Sequence, residues 1–235
     1  MSTIAIEKRS TPCAAELRAS GDAPVLGGYA LKFNTLSQNL GGFVETIDPN
    51  ALNKSLGDDI DVLARFQHDD LYLLGRTLSG TLRLNPDNVG LDYEVDINVD
   101  DPDAMRVAAM ARRGDVQHSS FAFRTYDDDW SETEQGFPLR ILRSIQLVDV
   151  APVVNPAYLD TSSGLRSLAD YRGLSVDDVV AAARADALTE LLREHQPQHI
   201  DLASSDATEA NGQGETHPLV AVRRRRAALV KRRTF

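Results

Sequence analysis

The tightest constraint on this chain is a change of period at Gly114. Asp101 is suited to cap a helix, Pro102 fits its first turn, and Ala104 to Arg113 are good helix formers. Arg112 and Arg113 complement the negative end of that helix, and Gly114 supplies its stop. Directly afterwards the run Gln-His-Ser-Ser-Phe-Ala-Phe at 117–123 alternates as a strand does. Ser119, Phe121 and Phe123 then share one face, and His118, Ser120 and Ala122 share the other. With the two phenylalanines in a core, Ser120 is left among small or polar neighbours. A hydroxyl held on a rigid strand without bulky cover suits acyl transfer. A solvated strand face is nevertheless the commoner fate of any one serine, so Ser120 gains meaning only from partners elsewhere.

The surrounding texture is that of a β-rich domain. Strands are expected at 27–33, 43–47, 60–66, 79–85, 90–98, 117–123 and 139–150, punctuated by Gly41-Gly42, Asp48-Pro49, the turn at 85–88 and Ala151-Pro152. Asp48 is placed to cap a short helix through Leu56, with Pro49 at its first position. Many short strands with few helices predict an α+β fold, mainly β: a curled antiparallel barrel carrying peripheral helices. The organisation expected is a partly flexible leader or first edge strand over 1–22, a principal domain over 23–162, a helical extension over 163–196 and a disordered tail over 197–235. Ser175 begins a capping-box-like start, and a helix over 176–195 carries an apolar stripe at 179, 180, 183, 187, 188, 191 and 192. That stripe is expected to pack on the barrel or on a second copy. Residues 196–222 are polar, with Pro197, Gly212, Gly214 and Pro218.

Charge separates the body from the tail. The net charge is −10, yet the last thirteen residues carry seven basic groups, Arg223 to Arg226, Lys231, Arg232 and Arg233, and no acid. Without them 18 basic residues face 35 acidic ones, a body that repels phosphates and argues against general nucleic-acid binding. The basic tip suits nucleic acid or an acidic protein surface, or remains solvated. No stretch approaches the roughly 20 apolar residues of a membrane span, and the first residues lack the apolar core of a secretory signal. A single cysteine, Cys13, leaves no disulfide framework within one chain, so a cytosolic-type protein is expected.

Serine chemistry needs a base to take the hydroxyl proton and a group to orient that base. His195, His199 and His217 fall in the late helix and tail. His118 shares a face with Ser120, but two residues along one strand separates them by roughly 6.5–7 Å with parallel side chains. His68 follows the expected strand 60–66, at a strand end where a cross-strand partner can reach it. Asp149, placed by strict alternation on the apolar face with Ile145 and Leu147, is costly there unless something donates to it. A histidine ring is a natural donor that would hold the tautomer required of a base. Asp69 and Asp70 read as solvated. The acidic run at 127–129 lacks alternating ligand spacing and an accompanying histidine, and no glycine-rich phosphate loop or cysteine cluster occurs, so neither metal nor cofactor is expected.

Several blocks occur in an informative order: Gly-Tyr-Ala-Leu-Lys-Phe-Asn at 28–34, Phe-Val-Glu-Thr-Ile at 43–47, Gln67-His68-Asp69 with Leu74-Gly75-Arg76-Thr77, Ser-Phe-Ala-Phe at 120–123, and Val-Asp-Val-Ala-Pro-Val-Val-Asn-Pro-Ala at 148–157. Together, over about residues 25–160, they resemble the prohead (procapsid) maturation serine proteases of tailed bacteriophages. The resemblance implies the fold of the herpesvirus assembly proteases, Ser120 as nucleophile and His68 as general base. Asp149 lies where relatives carry Glu before Val-Ser. The block Asp-Pro-Asn-Ala-Leu at 48–52 also departs from the family's Pro-Gly-Ala-Phe. A one-residue slip would make Ser119 the nucleophile; the face argument favours Ser120.

The resemblance further implies an endopeptidase that acts in the host cytoplasm, inside the procapsid. Its expected substrates are scaffold, or the scaffold-like region of the major capsid protein, and the protease itself. Backbone amides are expected to stabilise the oxyanion, with no residues assigned. A homo-oligomer is compatible with this reading, and the C-terminal helix and tip would retain the enzyme in the shell or be removed by self-cleavage. The alternative is a non-catalytic scaffold or assembly protein on the same fold.

Overall fold

A computed structural model describes residues 4–20, 23–57, 60–155 and 162–193. All of them belong to the first of two units, Met1–Gln196. The second, Pro197–Phe235, holds the basic tip and, with His195, lies outside the described residues.

Two long strands organise the fold. β9 (His118–Glu132) and β10 (Pro138–Val153) pair antiparallel, joined at a tight turn where Gly136 adopts φ 76°. β9 therefore runs nine residues past the expected strand end at Phe123. The extension is stabilised by charge: Arg140 Nε donates to Asp128 at 2.6 Å and Arg143 Nε to Asp129 at 2.9 Å. The acidic run at 127–129 thus lies on a strand, two of its members paired with arginine, and no group of metal-ligand type occurs among the described residues.

The barrel expected from strand count is not closed. The described strands form two sheets, one of six strands in the order β1-β9-β10-β5-β6 with β4 also on β10, and one of four in the order β2-β3-β8-β7. The first comprises β1 (Glu7–Thr11), β4 (Val44–Ile47), β5 (Leu63–Arg65) and β6 (Leu73–Arg76) with β9 and β10. The second comprises β2 (Glu16–Ser20), β3 (Ala23–Lys32), β7 (Leu82–Pro86) and β8 (Gly90–Asp96). Nor is the first sheet purely antiparallel, because β4 and β5 both run parallel to β10. The architecture is α+β, mainly strands, with five helices among the described residues. One core lies between the sheets, with Leu26, Leu31, Tyr93, Val95, Phe121, Phe123, Ile145 and Leu147 at 0–2% exposure.

Helix α1 (Asn53–Gly57) is shorter than expected: Asp48 accepts from the Asn50 amide in a preceding turn and does not cap it. α2 (Pro102–Arg113) matches its sequence signals, with Asp101 accepting from the Asp103 amide and Gly114 at φ 85°. After α3 (Ser162–Arg172), the single helix expected over 176–195 is broken into α4 (Val176–Arg184) and α5 (Leu188–Arg193), which divide the apolar stripe between them, with Asp186 at φ 53° at the break. These helices pack on the β9–β10 hairpin through a second cluster containing Leu168, Val179, Leu188, Phe43 and Trp130. The rings of Phe43 and Trp130 lie 5.1 Å apart at its centre. None of the described helices is long and apolar enough to cross a membrane.

Candidate active site

β9 places Ser120 as alternation requires. Phe121 and Phe123 enter the core, and Ser119 goes with them, its hydroxyl 3.4 Å from the Tyr93 hydroxyl. Ser119 therefore faces away from the other candidate residues, whereas Ser120 faces them.

Asp149 arrives by a different route from the one alternation suggests. Leu147 lies opposite Phe123 and Asp149 opposite Ala122, so Val148 is an extra residue in β10, a β-bulge. The bulge resets the faces: Leu147 and Val150 point into the core, and Asp149 joins Ala122 and Ser120 on the other side. The apolar face shared with Ile145 and Leu147, expected from strict period two, is thereby corrected.

His68 is delivered by a strained turn. β5 ends at Arg65 beside β10, with Leu63 opposite Asp149, and a 3-10 turn follows over Phe66–His68. Gln67 and His68 have φ 60° and 58°, two successive left-handed residues of roughly 1–2 kcal/mol each. Local hydrogen bonds fix the turn: the Asp69 amide donates to the Phe66 carbonyl at 3.1 Å and the Phe66 amide to the Tyr72 carbonyl at 3.0 Å.

The three side chains form one continuous hydrogen-bonded chain. His68 Nδ1 lies 2.6 Å from Asp149 Oδ1, and His68 Nε2 lies 2.7 Å from Ser120 Oγ. Burial first, then the positive charges of Lys8 and Arg65, lowers the His68 pKa to about 4. The Asp149 carboxylate pulls in the opposite direction, but Arg65 shares it. The ring is accordingly neutral near pH 7, with Nδ1–H donated to Asp149 and Nε2 left to accept the serine proton. This arrangement holds a base in the tautomer that proton abstraction needs. His118, by contrast, takes no part in the chain.

Two participants were not legible beforehand. Arg65 joins the second oxygen of Asp149 to exposed Asp70. It sits three residues before His68, but nothing in its local pattern separates it from any strand-end arginine. The other is β1, which pairs with the free side of β9 and puts Ser10 opposite Ser120. Ser120 Oγ also donates to the Arg9 carbonyl at 2.7 Å. The stretch expected as a leader or first edge strand thus supplies an edge strand to each sheet. Glu7 and Arg9 are buried, held by Arg140 Nη1 to Glu7 at 2.8 Å and to Glu45 at 2.9 Å, and by Arg9 Nε to Glu45 at 3.0 Å. Burial opposes the ionisation of Glu7, yet the hydrogen bond and charge of Arg140, with the charge of Arg9, hold its pKa below the usual carboxylate value.

Residues 13–172 match the caudovirus prohead serine protease family. The chain belongs to that family. The matched span contains Ser120, His68 and Asp149, and ends with α3. Among solved structures the chain is similar to the capsid assembly protease gp21 of bacteriophage T4, at 15% identity and a TM-score of 0.44, covering 65% of this chain and 98% of that one. No curated protein matches significantly.

Proposed function

We propose that this chain is the serine endopeptidase of an assembling phage head, with Ser120 as nucleophile, His68 as general base and Asp149 as the group that orients His68. The observation that carries the reading is the 2.7 Å approach of His68 Nε2 to Ser120 Oγ in a member of a prohead serine protease family. In the reaction Ser120 Oγ attacks the scissile carbonyl carbon while His68 Nε2 takes the hydroxyl proton. The developing imidazolium is stabilised by Asp149, and Arg65 fixes that carboxylate. His68 then returns the proton to the leaving amine as the C–N bond breaks, and water hydrolyses the acyl-enzyme by the same exchange.

The substrates proposed are scaffold, or the scaffold-like region of the major capsid protein, and the enzyme itself, in the host cytoplasm inside the procapsid. Kinship with the herpesvirus assembly proteases belongs to the same reading. So does a division into a catalytic body over 23–162, a helical extension over 163–196 and a tail over 197–235 whose basic tip meets nucleic acid or an acidic protein surface. The experiment is mass spectrometry of capsid-protein termini from heads assembled with the native chain or with Ser120→Ala. The reading expects uncleaved protein to accumulate in the variant; normal maturation would instead favour a non-catalytic assembly role.

A further inference from the structure

Ser120 has 0% exposure, and Asp149 has the same. The His68 side chain is 3% exposed. A peptide carbonyl carbon cannot reach a hydroxyl so enclosed, so part of the cover must leave before any substrate is attacked. The cover in direct contact with the nucleophile is β1. Its Arg9 carbonyl lies 2.7 Å from Ser120 Oγ, and its residues pair with β9 from Glu7 opposite Phe123 to Thr11 opposite Ser119.

We propose that β1 occupies the binding site of the substrate. A peptide is recognised as an extended strand added antiparallel to β9 in place of residues 7–11. This rests on the serine protease reading and adds to it where the peptide lies, what it resembles and what keeps the enzyme latent.

The chemistry of the contact identifies β1 as a blocking strand. A hydroxyl at hydrogen-bond distance from a carbonyl oxygen is placed as a donor, not for attack on the carbon. The single proton of Ser120 meets two acceptors at 2.7 Å, His68 Nε2 and the Arg9 carbonyl, so β1 competes directly with the base. Lys8, exposed on the same strand, also contributes to the depressed basicity of His68. Departure of β1 therefore frees the hydroxyl and makes His68 a stronger base in one movement.

The body is equipped to lose this strand. β1 is terminal in its sheet and pairs through five residues with β9 alone. It brings one acid and one base to the buried network, Glu7 and Arg9. Without them Arg140 keeps Glu45 at 2.9 Å and Asp128 at 2.6 Å, so no charge of the body is orphaned. β1 also lies outside residues 13–172 that match the family.

The vacated site has a definite preference. Arg140 would meet an acidic residue in the place of Glu7, and Glu45 a basic residue in the place of Arg9. The face of Ser10, opposite Ser120, admits a small side chain. The peptide class is therefore extended, acid-x-base followed by a small residue, recognised through main-chain pairing in the manner of strand addition.

The test measures labelling of Ser120 in the full chain by a fluorophosphonate probe, followed by intact-mass spectrometry. Lys8 and Ala122 are directly opposite, at a spacing that a disulfide can span. In Lys8→Cys/Ala122→Cys, made with Cys13→Ser, oxidation should slow labelling at least ten-fold and reductant should restore it. In Arg9→Ala, which loosens β1, labelling should become several-fold faster, accompanied by faster amide exchange at 119–123. A purely structural β1 gives the opposite sign, because loosening it would damage the site and slow labelling. If Arg9→Ala does not fold, the disulfide pair decides alone. Equal labelling in both redox states overturns the inference and leaves the serine reading standing. No labelling in any variant overturns both.

Discussion

Arg65→Met tests how the site holds its buried charge. Asp149 is fully buried, and Arg65 and His68 contact its two oxygens. Removing Arg65 leaves that carboxylate against a neutral ring, a cost of about 3–5 kcal/mol if nothing else changes. The relief available is protonation of His68. Arg65 and His68 sit on opposite oxygens of one carboxylate, and Arg65 lowers the His68 pKa by less than burial and Lys8 do, so its charge there is worth roughly 1 kcal/mol or less. The contact between Arg65 and Asp70, whose side chain is 86% exposed, adds little. The His68 pKa, held at about 4 in part by Arg65, therefore moves up. Fluorophosphonate inactivation measured from pH 3 to 9 should show an acid limb displaced to higher pH by up to about one unit, because only the neutral ring accepts the serine proton. Thermal unfolding at pH 7, where the ring stays mostly neutral, should fall by about 6–20 °C. Arg65→Lys, which keeps the charge but not the planar fork, should lie between the two. An unmoved acid limb together with an unmoved melting temperature would refute the argument that Arg65 sets the electrostatics of this pair.

Three further outcomes follow from particular residues. His68 has a folded pKa of about 4 against an ordinary 6.5, so the folded state binds fewer protons than the unfolded one between those values. Stability is then present above pH 6.5 and is lost as pH falls through 4, about 3 kcal/mol from this group; urea unfolding at pH 7 and pH 4.5 should show His68→Asn losing less than the native chain. Gln67→Gly removes a left-handed penalty of about 1 kcal/mol and should raise the urea midpoint, while kcat falls because the turn that aims His68 loosens. Gly164→Ala puts a Cβ 2.3 Å from Phe43 Cζ and should lower stability by about 1–3 kcal/mol, with α3 and α4 showing faster hydrogen exchange than the β9–β10 hairpin.

How far the site could be read from sequence depended on whether each signal was local. The face of Ser120 was legible because 117–123 carry a period of two that the core enforces, and α2 was legible because its cap, dipole charges and Gly114 are all written within fourteen residues. Asp149 was placed on the wrong face because one bulged residue, Val148, shifts the period without altering composition. The open two-sheet arrangement was hidden for a related reason: β4 and β5 join β10 in parallel across long connections, and neither pairing leaves a mark on its own strand. β1 was the hardest to see. Glu-Lys-Arg-Ser-Thr has no apolar alternation, and Glu7 and Arg9 are buried only because Glu45 and Arg140, 36 to 133 residues away, neutralise them. In that strand ion pairing does the work that hydrophobic burial does elsewhere in the sheet. A strand held by exchangeable charge pairs leaves behind a site that another charged strand can enter, whereas an apolar strand would leave bare hydrocarbon. The feature that concealed β1 from a hydrophobic reading is therefore the one that suits it to be displaced.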